Sequence, residues 1–374
     1  MRAKKVIIIG ADHYNTLWLV RALGMAGFES IAVIVGVHKG KSFVAKSKYC
    51  KQVLIIKSLG DIVSTLMNLS FSQKTVVIAS GDPVAKVLDT NYTQLSEKYI
   101  LHNCCNKQGG ILHWMDKVNM LSRAKECGLK IPYTMSLDLT LNNDLSDVPY
   151  PCLIKPEVSA ESTKNTFRIC HSEDELMVSI GEIKGYCKRV ILQEYIKPDF
   201  ECLLYGVSTK EEICIPGVLH KLHSCSHTNN LGMMSFAYLS SEIPIQVGNT
   251  KAIETFIRSI DYHGIFSVEF MITKDKAYFL EINMRNDGTS YITTQAGVNI
   301  PAIWSAIAYG INSNKFSRVF KREITYGMNE INYIKYTLKR VGIIQTFKDV
   351  FKAKAFSLWN PKDIKPFFYK FIYH

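Results

Sequence analysis

The chain has 374 residues, 47% of them hydrophobic, with 45 Lys and Arg against 33 Asp and Glu for a formal net charge of +12. That length leaves room for two or three domains with a packed core, and no internal repeat or low-complexity tract is visible. Neither a signal peptide nor a membrane span is expected: the apolar run Val6–Ile9 behind the basic Met1–Lys5 is too short for the first, and Gly297–Ile311, interrupted by Asn299 and Pro301, is too short for the second. The ten cysteines lie between Cys50 and Cys225 without paired CxxC spacing, so they read as reduced thiols of a cytoplasmic protein.

The N-terminal third alternates strand and helix. KKVIIIG is a buried strand, Asn15–Ala26 a helix with Gly27 as its stop, and SIAVIVG, CKQVLII and TVVIAS are further strands. Such alternation implies a parallel, doubly wound sheet. The turn Gly10-Ala11-Asp12-His13 lacks the GxGxxG pattern, so independent dinucleotide binding is not expected. The strand-end segments Asp12–Asn15 and Ser80-Gly81-Asp82 are where sheets of this kind meet ligands, although Ser80–Asp82 is equally good turn sequence. Cys104-Cys105 reads as structural.

Further along, Asp116-Lys117 opens the helical stretch DKVNMLSRAKECGLKIP, PCLIKP is an apolar strand ending at Lys155, and VILQEYI is a strand running into a hinge. HKLHSCSH places His223, Cys225 and His227 on one strand face. It matches no structural zinc spacing, and Lys221 is its candidate for a phosphate or carboxylate. The segment FSVEFMITKDKAYFLEINMRNDG reads as two strands, Phe266–Thr273 and Ala277–Asn283, joined by Lys274-Asp275-Lys276. Each carries one acid among hydrophobes, Glu269 and Glu281, and Asn283 and Arg285 follow Glu281 at two-residue steps on the same face. A half-buried acid is costly unless paired or bound to metal. Two acids and an amide suit hard, oxygen-ligated Mg²⁺, and an arginine beyond them suits phosphate. The plainer alternative is two acids each salt-bridged to a lysine. Asp287-Gly288 is a turn within reach of an acceptor.

Taken in this order, the segments resemble the ATP-grasp superfamily over residues 1–312. The resemblance implies an α/β and α+β architecture: a doubly wound parallel-sheet domain (1–108), then a two-lobed ATP-grasp domain (109–312; nucleotide lobe 120–197, metal and catalytic lobe 198–312), then a basic extension (313–374). It implies Lys117 and Lys155 on the α and β phosphates of ATP, Glu194 and the Ile196 backbone on adenine, and Glu201, or alternatively Asp199, on the ribose. Glu269, Glu281 and Asn283 would hold two Mg²⁺, with Mn²⁺ as a substitute, and Arg285 and Lys221 would serve the transfer. The family's phosphate loop is usually glycine-rich; here it is PEVSAESTKN, so Ser159, Ser162 and Thr163 hydroxyls stand where backbone freedom is reduced.

The implied activity is that of a carboxylate–amine ligase working through an acyl phosphate, similar to D-aspartate ligases of peptidoglycan and to ATP-grasp proteins of polysaccharide clusters, whose ending AFSLWNPKDIKPFF resembles. Small carboxylate and amine substrates are the expected partners. Two alternatives remain: a bicarbonate-activating enzyme of the carboxylase or carbamoyl phosphate type, against which no biotin carrier or amidotransferase is visible, and a non-catalytic ATP-binding protein, motivated by the missing glycines.

From Ser313 onward, thirteen Lys and Arg face four Asp and Glu, so nine of the twelve net charges sit in this tail. Ile331–Phe356 is compatible with a helix presenting Ile334, Leu338, Val341 and Ile344 on one face and Lys335, Lys339, Lys348 and Lys352 to the side, weakened by Gly342. It either packs on the body or lies on anionic lipid at the inner face of a membrane. A homodimer is compatible with the chain; nucleic acid is not expected, since the basic residues match no named module.

Overall fold

The computed structural model describes residues 3–37, 41–141, 143–157, 167–222, 232–239, 250–274, 276–317 and 324–373. Strands β1 (Lys5–Ala11), β2 (Glu29–Val35), β3 (Cys50–Ile56), β4 (Thr75–Ala79) and β5 (Tyr99–Ile100) form a parallel sheet in the order 3-2-1-4-5. This is the doubly wound sheet expected from the alternation. Val6 and Ile8 enter one core with Trp18 and Leu19 of the helix Tyr14–Met25, while Ile7 and Ile9 enter another on the opposite face. Burial on both faces is why β1 reads as an unbroken apolar run. That helix is capped by the His13 ring, which accepts from the Asn15 amide, and it stops at Gly27, whose φ of 89° a side chain would resist. Sheet order reverses at β1, so the crevice beyond the carboxyl ends of β1 and β4 is a natural ligand cleft. The two ends meet closely there: a Cβ on Gly10 would lie 1.7 Å from Ser80 Oγ.

A short β6 (Asn103–Cys104) leads to the helix Lys117–Glu126, whose N-cap Asp116 accepts from the Val118 and Asn119 amides. The second sheet, β7 (Thr134–Asp138), β8 (Cys152–Pro156), β9 (Arg168–Cys170) and β10 (Arg189–Glu194), is antiparallel in the order 7-10-8-9. It shares a core with the helix Glu173–Ile183.

The third sheet is the largest. Strands β11 (Phe200–Ser208), β13 (Gly217–Leu222), β14 (Met233–Tyr238), β15 (Tyr262–Thr273), β16 (Lys276–Asn283), β17 (Thr325–Met328) and β18 (Ala355–Phe356) run in the order 16-15-11-13-14-17-18, with β12 (Ile213–Cys214) on β11 and β6 on β15. The expected hairpin is present, starting four residues earlier than read, at Tyr262. Its other face and the neighbouring strands pack Cys202, Leu204, Val268, Phe270 and Phe279 against the helix Thr250–Ser259. Gly297–Ile311 contains the buried nine-residue helix Ile300–Ala308, capped by Asn299, and among the described residues no helix is long and apolar enough to cross a membrane.

The basic tail is woven into the body. β17 and β18 extend the third sheet, and the segment after them docks on the first domain. Arg21 Nε donates to Asp363 at 2.9 Å with both side chains buried, and Asp363 also accepts from Ser47 Oγ and the Lys48 amide. Glu330 accepts from the amides of Ser357, Leu358 and Trp359, while Trp18 Nε1 donates to the Ser357 carbonyl. The expected single helix Ile331–Phe356 is interrupted: a π-turn covers Tyr333–Thr337, Gly342 leaves helical geometry at φ 78° and ψ 172°, the helix ends at Lys352, and Phe356 belongs to β18. The kink splits the anticipated apolar face. Val341 packs in a small core with Met328 and Tyr333, whereas Ile334 and Ile344 are 60% and 76% exposed.

Removing one partner of a buried, hydrogen-bonded ion pair leaves an uncompensated charge, which costs about 3–5 kcal/mol. Asp363→Ala should therefore lower the melting temperature sharply, while Lys362→Ala, at an exposed neighbour, should leave it within error. Equal melting temperatures for the two variants would contradict the assignment of this pair as the anchor of the tail.

Candidate active site

The site is built on one face of the third sheet. Along β15, Phe266, Val268, Phe270 and Ile272 turn into the core, which sends Glu269 to the opposite face. In β16 the alternation changes step. Glu269 pairs with Glu281 and Phe270 with Phe279, so Leu280 is an extra residue in the ladder. Before it Ala277 and Phe279 face the core; after it Ile282 and Met284 do. The bulge thus brings Glu281 directly opposite Glu269 and puts Asn283 and Arg285 on the same side.

β11 and β13 supply the rest of this face. Cys202 and Leu204 point into the core, so Glu201 points out, and the register Cys202↔His220 places Lys221 beside Glu201. Lys221 Nζ lies 2.6 Å from Glu201 Oε2 and 3.3 Å from Glu269 Oε2. Burial opposes the lysine's charge, but Glu269 and Glu201 outweigh it and raise its pKa. The salt-bridged alternative therefore holds in part for Glu269, while among the described residues Glu281 forms no salt bridge. Burial, then the charges of Glu281 and Asp287 against that of Lys221, push the Glu269 carboxyl above its ordinary range. Asn283 Nδ2 donates to Glu269 Oε1 at 3.5 Å and Asn283 Oδ1 accepts from Arg285 Nη2.

This oxygen-only donor set fits a hard divalent cation. Two half-buried carboxylates repel one another unless a cation lies between them, and Asn283 adds a carbonyl oxygen beside them, which accepts from Arg285 here. Among the described residues no group of three or more His, Cys, Asp or Glu side chains forms a metal cage, so Asn283 and a ligand's own oxygens would have to complete it.

The lysines converge here from elsewhere. Lys155 ends β8, and its pKa is pushed down to about 8, first by burial and then by the charge of Lys117, with Glu281 pulling the other way. The charges of Lys117 and Glu281 both act on Lys155, so the helix Lys117–Glu126 and β16 lie near the end of β8. Lys155 Nζ donates to Gln193 Oε1 at 3.0 Å, and Gln193 Nε2 donates to Thr134 Oγ1 at 3.0 Å. Gln193 is thus a positioning residue whose role was not assigned from sequence; as a buried amide on an apolar strand it carried a signal. At the end of β10, Glu194 Oε2 accepts from the Tyr133 amide, and Ile196 is buried with no backbone hydrogen bond among the described residues. That free backbone edge suits an adenine ring. The Asp199 amide is tied to Ile272 and its side chain lies outside this cluster's hydrogen bonds.

Arg285 is the best-held cation. Its Nε and Nη2 donate to the two oxygens of Asp82, at 2.8 and 3.1 Å, and Nη1 donates to Asp287 Oδ2 at 3.2 Å. Asp287 in turn accepts from the Thr289 amide and hydroxyl. Beneath, Asn15 Nδ2 donates to the Ser80 carbonyl, and Asn286 pairs with Asn15 and Tyr205. The first domain and the third sheet are therefore joined at the mouth of the cleft. Asp82 lies 203 positions from Arg285, a pairing with no local sequence signal. Asp12 is not presented to this cleft as a free acid; it accepts from Ser42 and the amides of Phe43 and Val44.

Ser159, Ser162 and Thr163, and likewise His223, Cys225 and His227, lie outside the described residues. His220 stacks on Phe200 with ring centroids 5.2 Å apart.

Known proteins share parts of this sequence and its fold. Residues 242–330 match a family model described as ATP-grasp in the biosynthetic pathway with Ter operon. A formate-dependent phosphoribosylglycinamide formyltransferase of Wolinella succinogenes is 26% identical over 180 residues, covering 46% of this chain and 44% of that one, and its counterpart in Sulfolobus acidocaldarius is 28% identical over 192 residues, covering 48% and 47%. The chain thus spans less than half the length of these curated relatives. Among solved structures, an L-amino acid ligase of Bacillus licheniformis superposes with a TM-score of 0.61 at 14% identity, covering 84% of this chain and 77% of that one. An N5-carboxyaminoimidazole synthetase of Staphylococcus aureus gives 0.64 at 14% identity, covering 91% and 88%. The residues that match the family model contain the hairpin that carries the two acids, and the chain shares its fold with these solved structures along most of its length.

Proposed function

We propose that the protein is an ATP-dependent carboxylate–amine ligase. The observation that carries this reading is the acid pair Glu269 and Glu281 set opposite one another by the bulge, with Asn283 and Arg285 on the same side and the charges of Lys117 and Glu281 both acting on Lys155. Lys117 and Lys155 would hold the α and β phosphates, with Gln193 keeping Lys155 in place. Glu194 and the Ile196 backbone would receive adenine, Glu201 the ribose, and Ser159 would approach the phosphates. Glu269, Glu281 and Asn283 would hold Mg²⁺, as one or two ions with Mn²⁺ as a substitute; bound there, the metal neutralises charge on the β and γ phosphates. The γ-phosphoryl passes to a carboxylate oxygen, breaking its bond to ADP. An amine then attacks the acyl carbon, phosphate leaves with the electron pair, and the amine's proton is lost to solvent. Arg285 and Lys221 stabilise anionic charge during both steps, and no protein nucleophile takes part. The relatives support this class: one group is named for a formate-dependent transfer, and one structural neighbour for ligating amino acids. A role in cell-wall or surface-polysaccharide synthesis belongs to the same proposal.

Glu281→Gln should abolish ADP formation while the melting temperature stays near wild type; activity at the wild-type rate would remove the metal assignment. Lys155→Ala should weaken ATP binding far more than Lys221→Ala. Lys155 binds phosphate when charged, so wild-type affinity should fall by up to about tenfold per pH unit above pH 8, a dependence the alanine variant lacks. The reverse order in nucleotide titrations would mean the two lysines are misassigned.

We also propose that the protein works in the cytoplasm, peripherally on an anionic membrane. Beyond the Gly342 kink, Ile343, Ile344, Phe347, Val350 and Phe351 are between 42% and 86% exposed on one short helix, with Lys348 and Lys352 alongside. Apolar side chains flanked by lysines suit the boundary between headgroups and acyl chains, each basic residue contributing roughly 1 kcal/mol near anionic lipid. The protein should pellet with phosphatidylserine vesicles at low salt and not with neutral ones, and Phe347→Ser/Phe351→Ser should abolish pelleting. Concentration-dependent dimerisation lost in that variant, without lipid binding, would assign the face to a second copy of the chain.

A further inference from the structure

The Arg285 guanidinium has five N–H donors, and all five have acceptors in this structure. Nε and one Nη2 hydrogen face the two oxygens of Asp82, the other Nη2 hydrogen faces Asn283 Oδ1, and Nη1 faces Asp287 Oδ2 and the Asn286 carbonyl at 3.4 Å. An anion can therefore reach Arg285 only by exchange, and the five contacts are not equally exchangeable. Asp287 is 12% exposed and tied to Thr289, and Asn283 belongs to the acid pair. Asp82 comes from the other domain and its side chain is 47% exposed. It also occupies the first turn of the helix Asp82–Thr90, where a carboxylate is favoured without a partner, so it has somewhere to go. What Asp82 presents is a carboxylate, gripped by both oxygens in the fork–fork manner that matches a planar two-oxygen anion.

We propose that Asp82 occupies the seat that the substrate's carboxylate takes on Arg285, and that the substrate enters by a carboxylate-for-carboxylate exchange. The inference rests on the ligase reading for the identity of the anion. It makes Asp82 a determinant of specificity: an anion that offers only one atom cannot replace both contacts, and a bidentate carboxylate or phosphate can. Domain docking does not depend on this contact, because Asn15, Ser80 and Asn286 join the same surfaces beneath it.

The test uses the full chain with inorganic phosphate, acetate and chloride as probes, titrated calorimetrically into wild type, Asp82→Asn and Asp82→Asn/Arg285→Ala. With the competing carboxylate gone, phosphate and acetate should bind Asp82→Asn about tenfold more tightly, equivalent to about 1.4 kcal/mol. Chloride affinity should be nearly unchanged, and the double variant should lose the gain. Unchanged or weaker phosphate binding in Asp82→Asn would overturn the proposal, as would an equal gain for chloride, which would reduce Asp82 to a source of general negative charge. If Asp82→Asn does not fold, Asp82→Ser is read in the same way. The readout needs no turnover, so a failed exchange here would leave the ligase reading to stand or fall on Glu281→Gln.

Discussion

The site depends on one irregularity, the extra residue Leu280 in the β15–β16 ladder. Without it, Glu281 would follow Ala277 and Phe279 into the core, and Glu269 would face a hydrophobe. With it, two acids meet across adjacent strands, and Asn283 and Arg285 inherit the new parity. Two carboxylates at such a distance are unfavourable by themselves. The protein partly offsets the repulsion with Lys221, which spans Glu201 and Glu269, and leaves Glu281 without a salt bridge among the described residues. A divalent cation between the two carboxylates would offset the remaining repulsion.

Around this hairpin the other parts act as supports at graded rigidity. Gln193 and Thr134 fix Lys155, and burial and the nearby charge of Lys117 lower its pKa. The Asn15–Asn286 pair and the buried Arg21–Asp363 bridge hold the first domain against the third sheet from two sides. Because the tail supplies β17, β18 and Asp363, it ties the third sheet to the first, and its exposed apolar side chains include those on the helix after Gly342 and on the final helix Lys365–Tyr373.

Much of this was legible in the sequence, for identifiable reasons. The parallel sheet follows from apolar runs separated by helical segments, and Asp116 and Gly27 mark helix ends by side-chain capping and by positive φ. Glu269 and Glu281 stand out because a charge on a half-buried strand demands a partner. What was not legible depends on contacts distant in the chain. Asp82 meets Arg285 from a position 203 residues away in the chain, and Asp12 is consumed by a turn thirty residues on. Lys221 was read as a substrate contact, but its nearest partner is Glu201, a pairing set by the β11–β13 register. The tail helix failed as one element because Gly342 takes a left-handed φ, which turns Val341 inward and Ile344 outward.

The central claim is that this site joins a carboxylate to an amine at the expense of ATP. The most direct measurement is ADP release with Mg²⁺ across a matrix of amino acids, sugar acids and amines, with products weighed by mass spectrometry. The account predicts that release requires both a carboxylate and an amine, and that the product mass equals their sum less one water. ATP bound tightly with no ADP released by any pair, or a product heavier by one carboxyl group, would contradict it.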